Sequence, residues 1–253
     1  MSWFFRIVCM LFMAISAWAQ EPVWTYAPPA GHVDISPGVG DLDGDGNVEI
    51  VVGTTAGLVV ALDGQGKEVW RRETGSAVCI PPTLADVSGD EAPEVLAMNR
   101  QGRVLCLNGR TGRIVWDTSL PTPPEWGMTA LAVADLDGDG SQEIVTGTRD
   151  GAVVCLRGSG EQAWAFQGDL GKVLCPAIAD LDGDRQAEIL VGSEKIGLAC
   201  LTATGKELWR VGQGLGSSPV VCDLQGAGTP SIVTGIGKTL QAVNAEGKTL
   251  WSC

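Results

Sequence analysis

Beyond the first twenty residues the apolar positions fall into short runs with a fixed order. EIVVGT, LVVALD and KEVWRR follow one another between residues 49 and 72. The same trio returns as EVLAMN, RVLCLN and RIVWDT, as EIVTGT, AVVCLR and EQAWAF, as EILVGS, GLACLT and KELWRV, and as SIVTGI, TLQAVN and KTLWSC. A shorter apolar segment leads into each set. All are rich in Val, Ile, Leu and Trp and bounded by Gly, Asp and Asn, so they predict strands joined by turns. The near-continuous apolar character of the first run in each trio predicts a strand buried on both faces. No amphipathic helical pattern follows the opening segment.

Two markers give the period. Aspartates recur at Asp41, Asp86, Asp135, Asp180 and Asp223, with gaps of 45, 49, 45 and 43. Tryptophans recur at Trp24, Trp70, Trp116, Trp164, Trp209 and Trp251, with gaps of 46, 46, 48, 45 and 42. Four strands in about 45 residues is the blade of a β-propeller. A β-solenoid, the rival, has shorter coils and no need of a tryptophan closing every unit. The predicted fold is therefore all-β: four-stranded antiparallel blades in five complete repeats, at about 36–79, 80–128, 129–173, 174–216 and 217–253. VWTY around Trp24 reads as an extra N-terminal strand, the fourth of a unit whose first three are absent. The last repeat has its own fourth strand, so VWTY has no obvious vacancy. Either five blades close a ring with VWTY on an edge, or the propeller is incomplete and exposes edges that invite pairing.

The opening residues read differently. Arg6 precedes the apolar run IVCMLFMAISAWA, which ends in the small-x-small pattern Ala17-Trp18-Ala19. This predicts a secretory signal peptide, residues 1–19, cut after Ala19, and a single propeller domain over 20–253. The run is short for a membrane span, and no later stretch is long and apolar enough. The expected location is outside the cytoplasm: extracellular, cell-surface or periplasmic. The formal charge of −13 and single histidine argue against nucleic acid and suit cation binding. Beyond residue 19 lie Cys79, Cys106, Cys155, Cys175, Cys200, Cys222 and Cys253. Their odd number excludes complete internal pairing. Cys106, Cys155 and Cys200 share a slot with Ala61 and Ala242, which predicts small buried side chains rather than a disulfide framework.

DLDGDGNVE, residues 41–49, concentrates carboxylates that repel one another unless a cation answers them. Oxygen ligands at positions 1, 3, 5, 7 and 9, on a backbone curled by Gly at 4 and 6, suit Ca²⁺ over Zn²⁺. An EF-hand is excluded: its loop ends in Glu at position 12, whereas Val52 and Thr146 stand there in the first and third loops. D-x-D-G-D-G-x-x-E running into IVVG resembles the FG-GAP/VCBS repeats, including those of the integrin α-subunit propeller. The ending G-K-E-[VL]-W resembles blades of propellers related to pyrroloquinoline quinone dehydrogenases, in which the tryptophan docks one blade on the next. The resemblance covers nearly the whole chain after the signal.

Carried onto this sequence, the resemblance implies three calcium sites. These are Asp41, Asp43, Asp45, the Asn47 carbonyl and Glu49; Asp135, Asp137, Asp139, the Ser141 carbonyl and Glu143; and Asp180, Asp182, Asp184, the Gln186 carbonyl and Glu188. A fourth, weaker site would use Asp86, Ser88, Asp90, Ala92 and Glu94, because Ser88 keeps an oxygen but loses a charge. The fifth loop, DLQGAGTPS, keeps only Asp223 and is expected to hold no calcium. The plain alternative is a set of Asp-Gly turns held by Asx hydrogen bonds.

No catalytic set emerges. His32 is the only histidine and Tyr26 the only tyrosine, and neither belongs to a recognisable triad. Trp126, in the proline-rich insertion SLPTPPEWG, breaks the tryptophan period and reads as a hydrophobic plug or a stacking group for a sugar or peptide. The composite expectation is a non-catalytic, calcium-binding module for a protein or glycan ligand. The alternative is an enzyme or a piece of one, of polysaccharide lyase or quinoprotein type.

Overall fold

The computed structural model describes residues 22–125, 127, 129–226 and 228–253. The predicted signal peptide and Trp126 lie outside the described residues.

Among the described residues, twenty strands form five separate four-stranded antiparallel sheets, each in simple meander order. Blade one contains β1 (Gly38–Gly40), β2 (Glu49–Gly53), β3 (Leu58–Leu62) and β4 (Glu68–Glu73). Blade two contains β5 (Thr83–Ala85), β6 (Glu94–Met98), β7 (Arg103–Asn108) and β8 (Ile114–Ser119). Blade three contains β9 (Ala132–Ala134), β10 (Glu143–Gly147), β11 (Ala152–Arg157) and β12 (Gln162–Gln167). Blade four contains β13 (Ala177–Ala179), β14 (Glu188–Ser193), β15 (Gly197–Leu201) and β16 (Glu207–Val211). Blade five contains β17 (Val220–Cys222), β18 (Ser231–Ile236), β19 (Thr239–Val243) and β20 (Thr249–Ser252).

The core lies between blades rather than within one. Alternate residues of a strand point to opposite faces, so each blade's inner strands serve two neighbours. Val51, Val59 and Ala61 of blade one meet Val95, Ala97, Leu105 and Leu107 of blade two. Leu96, Val104 and Cys106 then face Ile144, Val154 and Leu156. Val145, Val153 and Cys155 face Ile189, Val191 and Leu201. Leu190, Leu198 and Cys200 face Ile232, Ile236 and Val243. This two-sided burial is the physical reason for the unbroken apolar runs.

The tryptophans lock the stack. The indole N–H of Trp70 donates to the Gly109 carbonyl of blade two at 2.6 Å. Trp116 does the same to Gly158, Trp164 to Ala203 and Trp209 to Ala245, each in the following blade. Each ring also lies on a turn glycine of that blade: Gly112, Gly160, Gly205 and Gly247. A Cβ on Gly112 would sit 2.5 Å from the Trp70 ring, and φ there is +62°, so glycine is needed for both reasons. Trp24 follows the rule without belonging to a sheet. Its N–H donates to the Gly64 carbonyl of blade one at 3.1 Å, and its ring covers Gly66. With Tyr26 it caps Val52, Leu58, Val60 and Leu62 on blade one's rear face.

The cysteine slot now has a cause. Ala61, Cys106, Cys155, Cys200 and Ala242 each stand opposite the blade's own tryptophan in the β3–β4, β7–β8, β11–β12, β15–β16 and β19–β20 ladders. In every blade a register shift follows immediately. In every blade the residue facing the indole across the ladder is small, Ala or Cys. The thiols are free, and Cys106, Cys155 and Cys200 are fully buried. Burial pushes each of the three up to about 12, so none is a thiolate at neutral pH. A maleimide pulse on the native chain is therefore expected to label exposed Cys253 first. Cys79, Cys106, Cys155 and Cys200 should react only after denaturation. Rapid native labelling of those four would contradict the inter-blade packing.

Candidate metal centres on the acidic loops

Each acidic loop joins the first strand of a blade to the second, and in each the opening aspartate accepts N–H groups from within the curl. In loop one, Asp41 accepts the Gly44 N–H on one oxygen at 2.7 Å and the Gly46 N–H on the other at 2.9 Å. Asp43 accepts from Asp45, and Asp45 from Asn47. The Glu49 carboxylate reaches back to the Leu42 N–H at 2.8 Å, while the Leu42 side chain is buried beneath the loop. The loop is thus anchored by one apolar residue and closed by its own carboxylates.

The curl needs left-handed backbone at positions 4 and 6. Gly44 and Gly46 have φ of +75° and +87°. Loops two and four place Glu91 and Arg185 at position 6, with φ of +68° and +71°. Those side chains carry a steric cost that glycine avoids. Replacing Arg185 by Gly is expected to raise the unfolding free energy by up to about 1 kcal/mol. A denaturant midpoint that falls would show that the Arg185 side chain does something the backbone does not reveal.

Three loops bring carboxylates to a common point. Oxygen atoms of Asp41, Asp43 and Asp45 all lie within 4.8 Å of one another, as do those of Asp135, Asp137 and Glu143, and of Asp180, Asp182 and Glu188. Two oxygens bound to one Ca²⁺ at about 2.3–2.6 Å are at most about 5 Å apart, so the three clusters fit that ion. The predicted sets are gathered in part. Glu49, Asp139 and Asp184 stand outside the tight triads, the last two accepting the Ser141 and Gln186 N–H groups. In loop two, Glu94 accepts from Val87 N–H, Ser88 N–H and the Ser88 hydroxyl. Asp86 holds Gly89 and Glu91, and Asp90 holds Ala92. No triad of that tightness forms there. Loop five keeps its curl through Asp223, which accepts from Gln225 and Gly228.

Electrostatics separates the carboxylates. The Gly46 N–H, against the opposing pull of burial and with help from Gly44, holds Asp41 below the usual carboxylate range. Burial pushes Glu143 up, the Leu136 N–H opposes it, and Asp137, Asp139 and Asp135 add to the rise. Glu188 is raised the same way, first by burial and then by Asp182, Asp184 and Asp180. Loop one also receives a cation: Arg110 of blade two donates to the Asp43 carbonyl.

The sequence-level reading missed the cavities beside these loops. Leu136, Asp137, Glu143, Arg157 and Trp164 line one of about 190 Å³. Leu181, Asp182, Glu188, Trp209 and Glu246 line its counterpart in the next blade, about 410 Å³. Each sets an inter-blade tryptophan beside an acidic triad. A cavity of about 670 Å³ lies elsewhere: Leu58, Arg71, Arg72, Glu73 and Ile114 line it with Pro29 and Ala30. The His32 backbone N–H donates to the Thr55 hydroxyl at 3.1 Å, and the His32 ring Nδ1 lies 3.4 Å from the same oxygen.

The model of the FG-GAP-like repeat family matches residues 86–146 and 135–191. Residues 86–191 are FG-GAP-like repeats. That stretch carries loops two, three and four, and the first loop shows the same motif upstream of it. No curated protein matches the chain in sequence. Among solved structures, the V. cholerae biofilm matrix protein Bap1 is 21% identical with a TM-score of 0.68, over 87% of this chain and 39% of that one. BamB from Moraxella catarrhalis is 17% identical with a TM-score of 0.52, over 88% and 77%. Quinohemoprotein alcohol dehydrogenase from Comamonas testosteroni is 15% identical with a TM-score of 0.63, over 88% and 43%. These likenesses are likenesses of fold. This chain spans less than half the length of Bap1 and of the dehydrogenase.

Proposed function

We propose that this chain is an exported, calcium-stabilised, non-catalytic interaction module whose blades present a surface to a protein or glycan ligand. The supporting observation is the set of three carboxylate triads at equivalent places in three blades, in a chain with FG-GAP-like repeats. Asp41, Asp43 and Asp45 would hold one ion, Asp135, Asp137 and Glu143 a second, and Asp180, Asp182 and Glu188 a third. Asn47, Ser141 and Gln186 would add backbone carbonyls, and the remaining predicted residues the outer oxygens. Loop two would hold calcium more weakly. A bound Ca²⁺ supplies counter-charge to carboxylates that otherwise repel. Export rests on the opening apolar segment, and no helix among the described residues is long and apolar enough to cross a membrane.

Tryptophan emission tests the metal assignment, because Trp164 and Trp209 line the cavities beside the third and fourth loops. Ca²⁺ is expected to shift the emission, with Mg²⁺ acting more weakly. A titration without response to Ca²⁺ would contradict the assignment. Acid should weaken the response. Glu143 and Glu188 are raised from 4.5, so their protonation competes with the metal above that pH. In the metal-free chain the folded state then binds more protons than the unfolded state. Their contribution to stability is present below the ordinary carboxylate value and lost as pH rises through the raised one. Calcium should reverse that slope. Screens for quinone-dependent oxidation and for lyase action on acidic polysaccharides should show no turnover; calcium-dependent turnover in either would favour the enzyme alternative.

A further inference from the structure

We propose that the uncovered face of blade five is an interface for a second copy of this chain, and that Trp24 occupies the seat this contact needs. The described residues contain five tryptophan seats, each a turn carbonyl beside a glycine that the indole covers: Gly64 with Gly66, Gly109 with Gly112, Gly158 with Gly160, Ala203 with Gly205, and Ala245 with Gly247. Four are filled by the preceding blade. The first is filled by Trp24, from a segment that makes no strand ladder among the described residues. The sixth tryptophan, Trp251, has no acceptor among the described residues and is 41% exposed, against 8% for Trp70.

The rest of that face is also bare. Leu240 occupies the slot of Val59, Val104, Val153 and Leu198, all fully buried, yet it is 47% exposed. No core cluster and no strand ladder joins blade five to blade one among the described residues. Among the described residues, blade five thus carries, unfilled, the forward half of the contact made four times inside the chain. The matching rear half, Val52, Leu58, Val60 and Leu62 with the Gly64 seat, is on blade one. A second copy is the occupant whose mating surface this chain itself supplies.

The two occupants exclude each other, because β20 and the Trp24 segment would take the same place. VWTY and LWSC present the same tryptophan, but the Trp24 segment is held lightly. Its anchors are the indole bond, a Tyr26 hydroxyl bond to Glu68 at 3.1 Å, and the cap on four side chains. Val23 beside it is 97% exposed. Blade five arrives as a whole sheet and covers Leu240 as well. The contact is head-to-tail, so copies would close a ring or extend as a filament.

Sedimentation across a concentration series tests this on the purified chain. Trp24→Ala is expected to strengthen self-association at least about tenfold. Trp24→Ala/Trp251→Ala and Trp24→Ala/Leu240→Lys should lose that gain, and a peptide of residues 20–31 should reverse it in the single variant. Association that is unchanged by Trp24→Ala, or that survives both second substitutions, overturns the proposal and leaves the face to a blade of different sequence. Should Trp24→Ala fail to fold, Trp24→Phe, which removes the indole N–H bond to the Gly64 carbonyl, must associate more strongly than the parent. Equal association there overturns the proposal too.

Discussion

Removing calcium with EDTA is expected to lower the melting temperature by several degrees, with recovery on adding Ca²⁺ and poorer recovery with Mg²⁺. A ligand bound only by the native state stabilises it by about 2.7 kcal/mol when held at a hundredfold excess over its Kd. In a domain of this size that is worth about 5–10 °C per site if the chain melts as one unit. Asp135→Asn separates the metal from the turn. Asparagine keeps a side-chain oxygen for the Gly138 or Gly140 N–H but removes one charge from the triad of Asp135, Asp137 and Glu143. The variant should lose roughly one site's share of the calcium effect, yet melt within about 1 kcal/mol of the parent in EDTA. Asp223→Asn in loop five should leave the calcium effect whole. A variant series in which Asp223→Asn behaves like Asp135→Asn would mean that the loops act as hydrogen-bonded turns alone.

Trp70→Ala is expected to cost about 3–5 kcal/mol, the range for deleting a large buried aromatic. Trp70 is 8% exposed, packs among Leu42, Ala61, Leu105 and Leu107, and donates to the Gly109 carbonyl. Alanine leaves a cavity between blades one and two and an unanswered carbonyl. Trp251→Ala, in the same slot of blade five, should cost less than about 1 kcal/mol, because Trp251 is 41% exposed and its indole has no acceptor among the described residues. Chemical denaturation of the pair reads both. Because blades contact nearest neighbours, Trp70→Ala should also broaden the transition as blade one loosens first. Equal losses for the two variants would contradict the inter-blade role of the indole.

The blades were legible because their markers repeat. Apolar runs separated by Gly and Asp defined the three longer strands of every blade. The short first strands, such as Gly38–Gly40, appeared only as lead-ins, since three residues carry no period. The carboxylate clusters were legible as sets of oxygens, but their grouping was not. Whether Glu49 or Glu143 joins its triad depends on how far the carboxylate that accepts the position 2 N–H also leans toward the aspartates. Ser88 was read as a weaker ligand. Its hydroxyl donates to Glu94, a contact that spacing does not show. The seat of each tryptophan was hidden for a different reason: Gly109 and Gly112 lie about one repeat beyond Trp70, so a local pattern gives no sign of the pairing. The same distance made VWTY look like a strand without a vacancy. Its place is the first seat, on Gly64 and Gly66.

Counting the metal tests the central claim most directly. The chain, equilibrated with Ca²⁺ and freed of unbound metal, should retain three calcium ions by elemental analysis, with a fourth only at higher free calcium. Substituting Asp41, Asp135 and Asp180 together should remove all three. A chain that retains no calcium, or keeps its three ions after that triple substitution, would contradict the assignment of the acidic loops as calcium struts.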